Sequence, residues 1–402
     1  MEVTGYTVNG PVIWPLPADW SSSVRESLAW YTDVLQASAT GSTVHRSLRS
    51  VPRRSFSFGV VADAQERRII DALMREWSGR RWLLPIWPDQ QHLGAPLAPG
   101  AIVIPCRTAG FDFVVGGRAL LWSSVTEWEV VHVEDVLPDA VVVAAPLMGT
   151  WPRGCRLVPL RWARMDGKSN IRTITDTVDR PGVSFSIDEP CTWPAQLPAV
   201  EYRGHPVLTA RPDFSDDGEV SYTRLLATQD DGISRPYIAD VAGVPFRTMR
   251  SEWAIYGRPQ QAEFRSLLYG LAGRAVPLWV PSWQQDLRLV QPVSSSATEI
   301  RVEWAGYGLF GAQRPNRRDI AIRLASGDVL YRRITASADV DGTERLTLDA
   351  PLGREVAPAQ VLAISFIGLC TQASDQVDIE HVTDSDGLAR CTLPWQEVSP
   401  DV

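Results

Sequence analysis

ADAQERRIIDALMREWSGRRWLLPIW (62–87) and GRPQQAEFRSLLYGLAGRAVPLWVPSW (257–283) decide how the rest of the chain is read. Each reads as an amphipathic helix, a glycine stop and then a strand. Laid on one another 194 positions apart, Ile70, Leu73, Met74 and Trp77 fall on Phe264, Leu267, Leu268 and Leu271. That is the i, i+3, i+4, i+7 spacing of one buried helical stripe. Any two amphipathic helices can be superposed, so the punctuation matters more. Gly79-Arg80 falls on Gly273-Arg274 at the same offset, with the glycine where a left-handed residue ends a helix. Pro85 and Trp87 fall on Pro281 and Trp283 two positions later.

Working outward, DAVVVAAPL (139–147) matches RLTLDAPL (345–352), with Ala145-Pro146-Leu147 on Ala350-Pro351-Leu352. Asp19-Trp20 matches Asp213-Phe214, and DRPGV (179–183) matches DSDGL (384–388) more softly. Internal repetition of this kind sets the architecture. One module is written twice, residues 1–196 and 197–402, with a join in the proline-bearing stretch TWPAQLPAVEYRGHP (192–206).

Within each copy, alternating segments such as FSFGVV (56–61) and EWAIY (252–256) read as half-buried strands ahead of the helix. Asp63 and Glu66 have capping-box spacing, whereas copy two offers Pro259 for its first turn. Beyond the tryptophan strand, FDFVVGGRALLW (111–122) and DIAIRLASGDVLYRRI (319–334) carry hairpin signals. CRLVPLRWARM (155–165) and QVLAISFIGLC (360–370) then return to a final pair of strands. The expected fold is mostly β (α+β): a tandem duplication of a β-sandwich-like module with one helix. Each module carries a small β-barrel-like subdomain, about 100–155 and about 290–358.

The chain has 402 residues, enough for two to four domains at roughly 100–200 each. Hydrophobic content of 45% with 21% charged residues excludes disorder and coiled coil as descriptions of the whole. A net charge of −8 argues against gripping phosphate backbones, and thus against sequence-specific nucleic-acid binding. No apolar run approaches the roughly 18 residues of a membrane helix, so membrane insertion is not expected. The opening MEVTGYTVNGPVIWPLPADW has neither basic nor apolar leader regions, so no signal peptide is expected. Lys168 is the one lysine beside 38 arginines, a skew read as genome composition.

The chemistry-bearing motifs are sparse. Cys106, Cys155, Cys191, Cys370 and Cys391 lack any CxxC pair and read as reduced thiols. His45, His92, His132, His205 and His381 are scattered without metal-site spacing. Gly306-Tyr307-Gly308-Leu309-Phe310-Gly311 is a formal GxGxxG after the strand-like EIRVEW (299–304). Pro315 stands where a nucleotide-binding helix would run, so the motif reads as a loop. The acidic runs PDFSDDGE (212–219; Asp213, Asp216, Asp217, Glu219) and DSDG (384–387; Asp384, Asp386) lack EF-hand spacing and read as Asp-Gly turns. No catalytic, metal or cofactor residue is nominated. Sixteen tryptophans are the one excess. Trp82, Trp87, Trp279 and Trp283 recur in the strand after each helix, while Trp151, Trp162, Trp193 and Trp395 lie near proline-rich turns. Packing or interface roles therefore come first, with Trp87, Trp283, Pro85 and Pro281 as the residues to follow.

The GR…LPIW and GRAVPLWVPSW units resemble minor tail proteins of tailed bacteriophages. So do DAVVVAAPLMGTWPRGCRLVPL and RLTLDAPLGREVAPAQVLAI, each a β-run followed by APL, a short spacer and a strand. The similarity is to distal-tail and tail-tip proteins of long-tailed phages, and it spans both halves through short patterns. It implies a virion structural protein of the tail tip, assembled in the bacterial cytoplasm and without enzymatic activity or cofactor. Its expected role is a ring-forming adaptor joining the tail tube to the tip (baseplate) complex. The implied partners are further copies of itself, the tail tube protein, the tape measure protein and the tail-tip hub protein. A duplicated chain departs from the single-module pattern: three copies would supply six quasi-equivalent modules, and six copies are the other closed solution. Two other classes stay open, a carbohydrate- or receptor-binding tail module using surface tryptophans and a cell-envelope glycan hydrolase using an acid pair.

Overall fold

The computed structural model describes residues 12–37, 43–77, 79–167, 170–213, 218–311, 315–384 and 386–398. Lys168, Phe214, Asp216 and Asp217 lie outside the described residues. The protein is mostly β, with large antiparallel sheets, and its two long helices are α1 (Ala64–Trp77) and α2 (Gly257–Leu271).

The same order of strand pairings occurs twice. In the first half, Val12–Ile13 runs parallel to Arg81–Pro85, which pairs with Arg156–Met165. That strand pairs with Val178–Ile187, then Arg53–Gly59, then Val24–Ala29. In the second half a parallel bridge joins Val207 to Trp279 in Leu278–Pro281, followed by Val361–Gln372, Leu388–Glu397, Tyr237–Tyr256 and Glu219–Gln229. The registers agree as well. Pro85 opposes Leu160 as Pro281 opposes Ile367, and Phe56 opposes Phe185 as Met249 opposes Trp395. The Asp19 N–H donates to the Gly59 carbonyl at 2.8 Å, as that of Asp213 does to Glu252 at 2.8 Å.

The smaller sheets repeat too. Val103–Pro105, Ala140–Val143, Glu127–Leu137 and Arg118–Ser124 pair in that order and join Arg156–Met165. Glu299–Glu303, Thr343–Leu348, Val329–Val340 and Asp319–Leu324 do the same against Val361–Gln372. Each has a bulge at the same place, after Val133 and after Ile334. Bulges bend a strand and increase its twist, so a shared one gives both small sheets the same curvature. Leu147 and Leu352, the last residues of the two APL segments, are both buried in the small cores.

Several local expectations are corrected. The 111–122 segment is not a hairpin: Phe111 and Phe113 sit buried in a loop, and the hairpin is formed by the next two strands. DRPGV lies inside Val178–Ile187, whereas Asp384, Asp386 and Gly387 precede Leu388–Glu397, so these do not superpose. The stop after α2 is observed: the helix ends on left-handed Ala272 (φ 50°) followed by Gly273 (φ 70°), one residue earlier than the expected glycine. Glu66 accepts the Asp63 N–H at 3.4 Å, one half of the expected box.

Apolar burial explains the layering. Ile70 and Leu73 of α1 press on a core built around Trp14, Trp82, Phe58 and Phe185. Phe264, Leu267, Leu268 and Leu271 of α2 press on one built around Trp253 and Trp395. Strand alternation also separates two tryptophans that look equivalent. Trp82 faces its helix-covered core, but Trp279 is one residue out of step and packs on Tyr202 in a different cluster.

Candidate functional site at the seam between the modules

The two large sheets meet edge to edge. Val24–Ala29 of the first module pairs antiparallel with Gln376–His381 of the second, placing Arg25 opposite Glu380 and Glu26 opposite Ile379. Across the sheet face, α2 lies against the first module, so a second face carrying Arg258, Arg265 and Tyr269 is buried beside its apolar one, while Pro259, Gln260 and Glu263 stay exposed.

That burial is made tolerable by a chain of ion pairs. Glu26 is fully buried and accepts from Arg54 Nε at 2.6 Å, from Arg265 Nη2 at 2.7 and 3.0 Å, and lies 2.8 Å from His381 Nε2. Arg54 continues to Asp112, which also holds Arg161, and Arg161 reaches Glu189 at 3.2 Å. A second strand of the network runs from α2: Arg258 donates to Asp89 at 2.7 Å and to the Pro88 carbonyl at 2.6 Å, and covers the Phe111 ring at 4.4 Å. Asp89 in turn accepts the Asp112 N–H at 2.9 Å. Burial pushes the Glu26 carboxyl up, and Arg265, Arg54 and His381 together overcome it, holding the group well below the usual range. Asp112 is likewise desolvated, and Arg54 and Arg161 pull it down to about 2.

The rim fixes the same placement. Asp384 accepts from Gln90 at 3.1 Å and Asp386 takes both Arg107 donors at 2.8 and 2.6 Å, so the DSDG turn is a clasp between modules. Asp375 accepts from Thr32 through N–H and Oγ1 at 2.8 and 2.7 Å. The connecting segment straps α2: Trp193 stacks under Arg265 at 4.8 Å, and Tyr269 donates to the Cys191 carbonyl at 2.8 Å.

The residues singled out in the sequence sit elsewhere. Trp87 is buried in the first core, edge-on to Trp122 at 6.2 Å, and Pro85 is a ladder residue of its strand. Pro281 occupies the matching ladder position, while Trp283 is half-buried with φ 59° beside a small pocket shared with Leu208 and Tyr331. None of the four side chains is a member of the seam's ion pairs, though Trp87 opens the short turn that carries Asp89 and its carbonyl accepts the Gln90 N–H at 3.2 Å. Among tryptophans whose side chains are described, Trp304 alone is exposed.

The glycine motif is an ordered π-helical turn, Tyr307–Gly311. The Gly308 N–H of the motif and the Ala305 N–H just before it donate to buried Glu344 at 2.9 and 3.1 Å. An internal carboxylate thus holds the place a phosphate would need. Burial raises the thiols of Cys106 and Cys155 to about 11, which leaves them protonated and poorly nucleophilic. Among the described residues no His, Cys, Asp and Glu cluster could hold a metal, and no helix is long and apolar enough to cross a membrane. A charged groove on the outer sheet face holds Asp378 and Glu380, but Ser27 and Gln376 engage the first and Arg25 the second at 3.1 Å.

No protein-family model matches the chain, and no curated protein matches it.

Proposed function

We propose that this chain is a structural assembly protein of a tailed-phage virion, a distal-tail or tail-tip adaptor that forms a ring joining the tail tube to the tip complex. The observation that carries the reading is the repeated module joined side by side through a buried, ion-paired seam. A single chain already contains one such module-to-module joint, and assembly would need only more of the same kind. The tail assignment draws in addition on the sequence resemblance. Receptor or glycan binding through surface tryptophans has Trp304 as its one support among the described residues. In this reading the ring partners are further copies, and the axial neighbours are the tube, tape measure and hub proteins.

The test is electron microscopy of assembled tails carrying this chain, with subunits counted. A closed ring of three or six copies at the end of the tube is expected. Copies found only on peripheral fibres would sink the adaptor role and redirect attention to receptor binding.

A further inference from the structure

The joint between modules uses one edge from each, and among the described residues no strand covers the matching edges at the two far ends of the molecule. Register equivalence identifies them. Val24–Ala29 occupies the position of the first part of Glu219–Gln229, since Glu26 opposes Phe56 as Val220 opposes Met249. Gln376–His381 occupies the position of Asn170–Thr173: Ile379 opposes Cys391 as Ile171 opposes Pro181, each on the hairpin strand that returns to its module. Among the described residues, Glu219–Gln229 pairs on one side only, with Tyr237–Tyr256, and Asn170–Thr173 pairs only with Val178–Ile187.

We propose that the seam recurs between copies, with Glu219–Thr223 of one chain adding antiparallel to Asn170–Thr173 of the next. Transferring the internal register places Val220 opposite Ile171 of the next copy, as Glu26 lies opposite Ile379. Ile379, paired across the internal seam and packed in the core under α2, is 4% exposed, whereas Ile171 and Val220 are 43% and 44% exposed. The same transfer turns the Arg25–Glu380 pair, 3.1 Å apart, into Glu219 opposite Arg172 of the next copy. The charges have exchanged sides and still complement. Bare strand edges are the ordinary template for such addition, and apolar side chains on them are otherwise an aggregation hazard.

The surroundings agree. In the first module the loop between Val103–Pro105 and Arg118–Ser124 is capped by α2, with Gly110 pressed to Ala262 and Phe111 under Arg258. The corresponding loop of the second module, between Glu299–Glu303 and Asp319–Leu324, leaves Trp304, Leu309 and Phe310 exposed beside an open groove lined by Tyr222, Arg247 and Asn316. The helix that would cap it is α1 of the next copy. Its Asp71, exposed here, holds the position of Arg265, and it would face Arg247, the counterpart of Arg54. The interface is heterologous, so repetition closes into a ring or continues as a helix according to the rotation between modules.

This inference rests on strand registers and not on the tail assignment, and closed rings that ignore tail tubes would leave it standing while removing that role. The test joins V220C to I171C in one chain and oxidises it mildly, with V220C/T173C as the register mismatch. The expected result is a ladder of covalent multimers from the matched pair and little from the mismatch. No ladder from the matched pair, or equal ladders from both, overturns the proposal. A second measurement does not depend on cysteine: E219R or R172E alone should weaken association about tenfold, and the double exchange should restore it. Association unaffected by either single reversal counts equally against the register.

Discussion

Glu26 and Glu397 are buried carboxylates beside equivalent arginines, yet their surroundings drive them in opposite directions. Arg54 and Arg247 hold matching register positions in the two modules. Around Arg54 the second module supplies Arg265 and His381, and Glu26 is held far below the usual carboxylate range. Around Arg247, among the described residues, Glu397 and Asn316, which donates to that carboxylate, both come from the same module. Burial lifts the Glu397 carboxyl above its ordinary value, with Arg247, 2.9 Å away, and Asn316 only partly opposing it. The lesson is that a buried charge becomes a fastener only when the partner surface completes its set of counter-charges. One copy of this joint is complete within the chain, and the other is half built.

The largest test of that contrast removes each carboxylate charge in turn. Glu26→Gln leaves Arg54 and Arg265 buried with one fewer counter-charge and should cost about 3–5 kcal/mol, read by denaturant unfolding. Glu397→Gln should cost less than Glu26→Gln, because burial raises that carboxyl and makes its charged form less favourable in the fold, even with Arg247 beside it. Equal costs would mean that the two arginine sites are energetically alike and that the covering by α2 adds nothing.

Acid titration asks the same question without mutation. The folded-state values of Glu26 and Asp112 lie below their unfolded ones, Asp112 at about 2. Between the folded value and roughly pH 4 the unfolded chain binds more protons, so the stability these groups supply is present above about pH 4 and drains away toward pH 2. The melting temperature should fall through that window. Glu26→Gln, already lacking one of the two carboxylates, should show a shallower fall.

The repeat was legible in the sequence because helix stripes, glycine stops and proline-tryptophan punctuation are local signals. The seam was not, because its members stand at positions 26, 54, 112, 161, 265 and 381, far apart in the chain and without any shared spacing. One signal was there. Arg54 shares its strand face with Phe56 and Phe58, and an arginine on an inward-pointing face needs a buried counter-ion. The tryptophans attracted attention by number, yet composition says nothing about which face they occupy, and Trp82 and Trp279 differ by one register step.

A smaller effect is expected where the two modules differ by a side chain rather than a surface. Arg161, which links Asp112 to Glu189, holds the register position of Gly368. A Cβ at Gly368 would stand 2.7 Å from Glu397 Oε1. Gly368→Ala should therefore cost about 1–3 kcal/mol through overpacking, whereas Gly182→Ala, with open space around it, should show no such clash. A neutral Gly368→Ala would mean that Glu397 can swing into the groove, as an unfilled joint permits.

The smallest change in stability is expected at the exposed loop of the second module, and there the absence of an effect is the informative result. Phe111 is buried in its small core with Arg258 of α2 over its ring, and Phe310 is 74% exposed in the corresponding loop. Phe310→Ala removes little packing from the isolated chain, so its unfolding free energy should move by less than about 0.5 kcal/mol. If the loop is a half-built joint, the same variant should lose association between copies while its thermal unfolding stays unchanged. A single substitution would then separate what holds one chain together from what holds two chains to each other. Loss of both together would instead make Phe310 a core residue of its own module and remove it from the assembly surface.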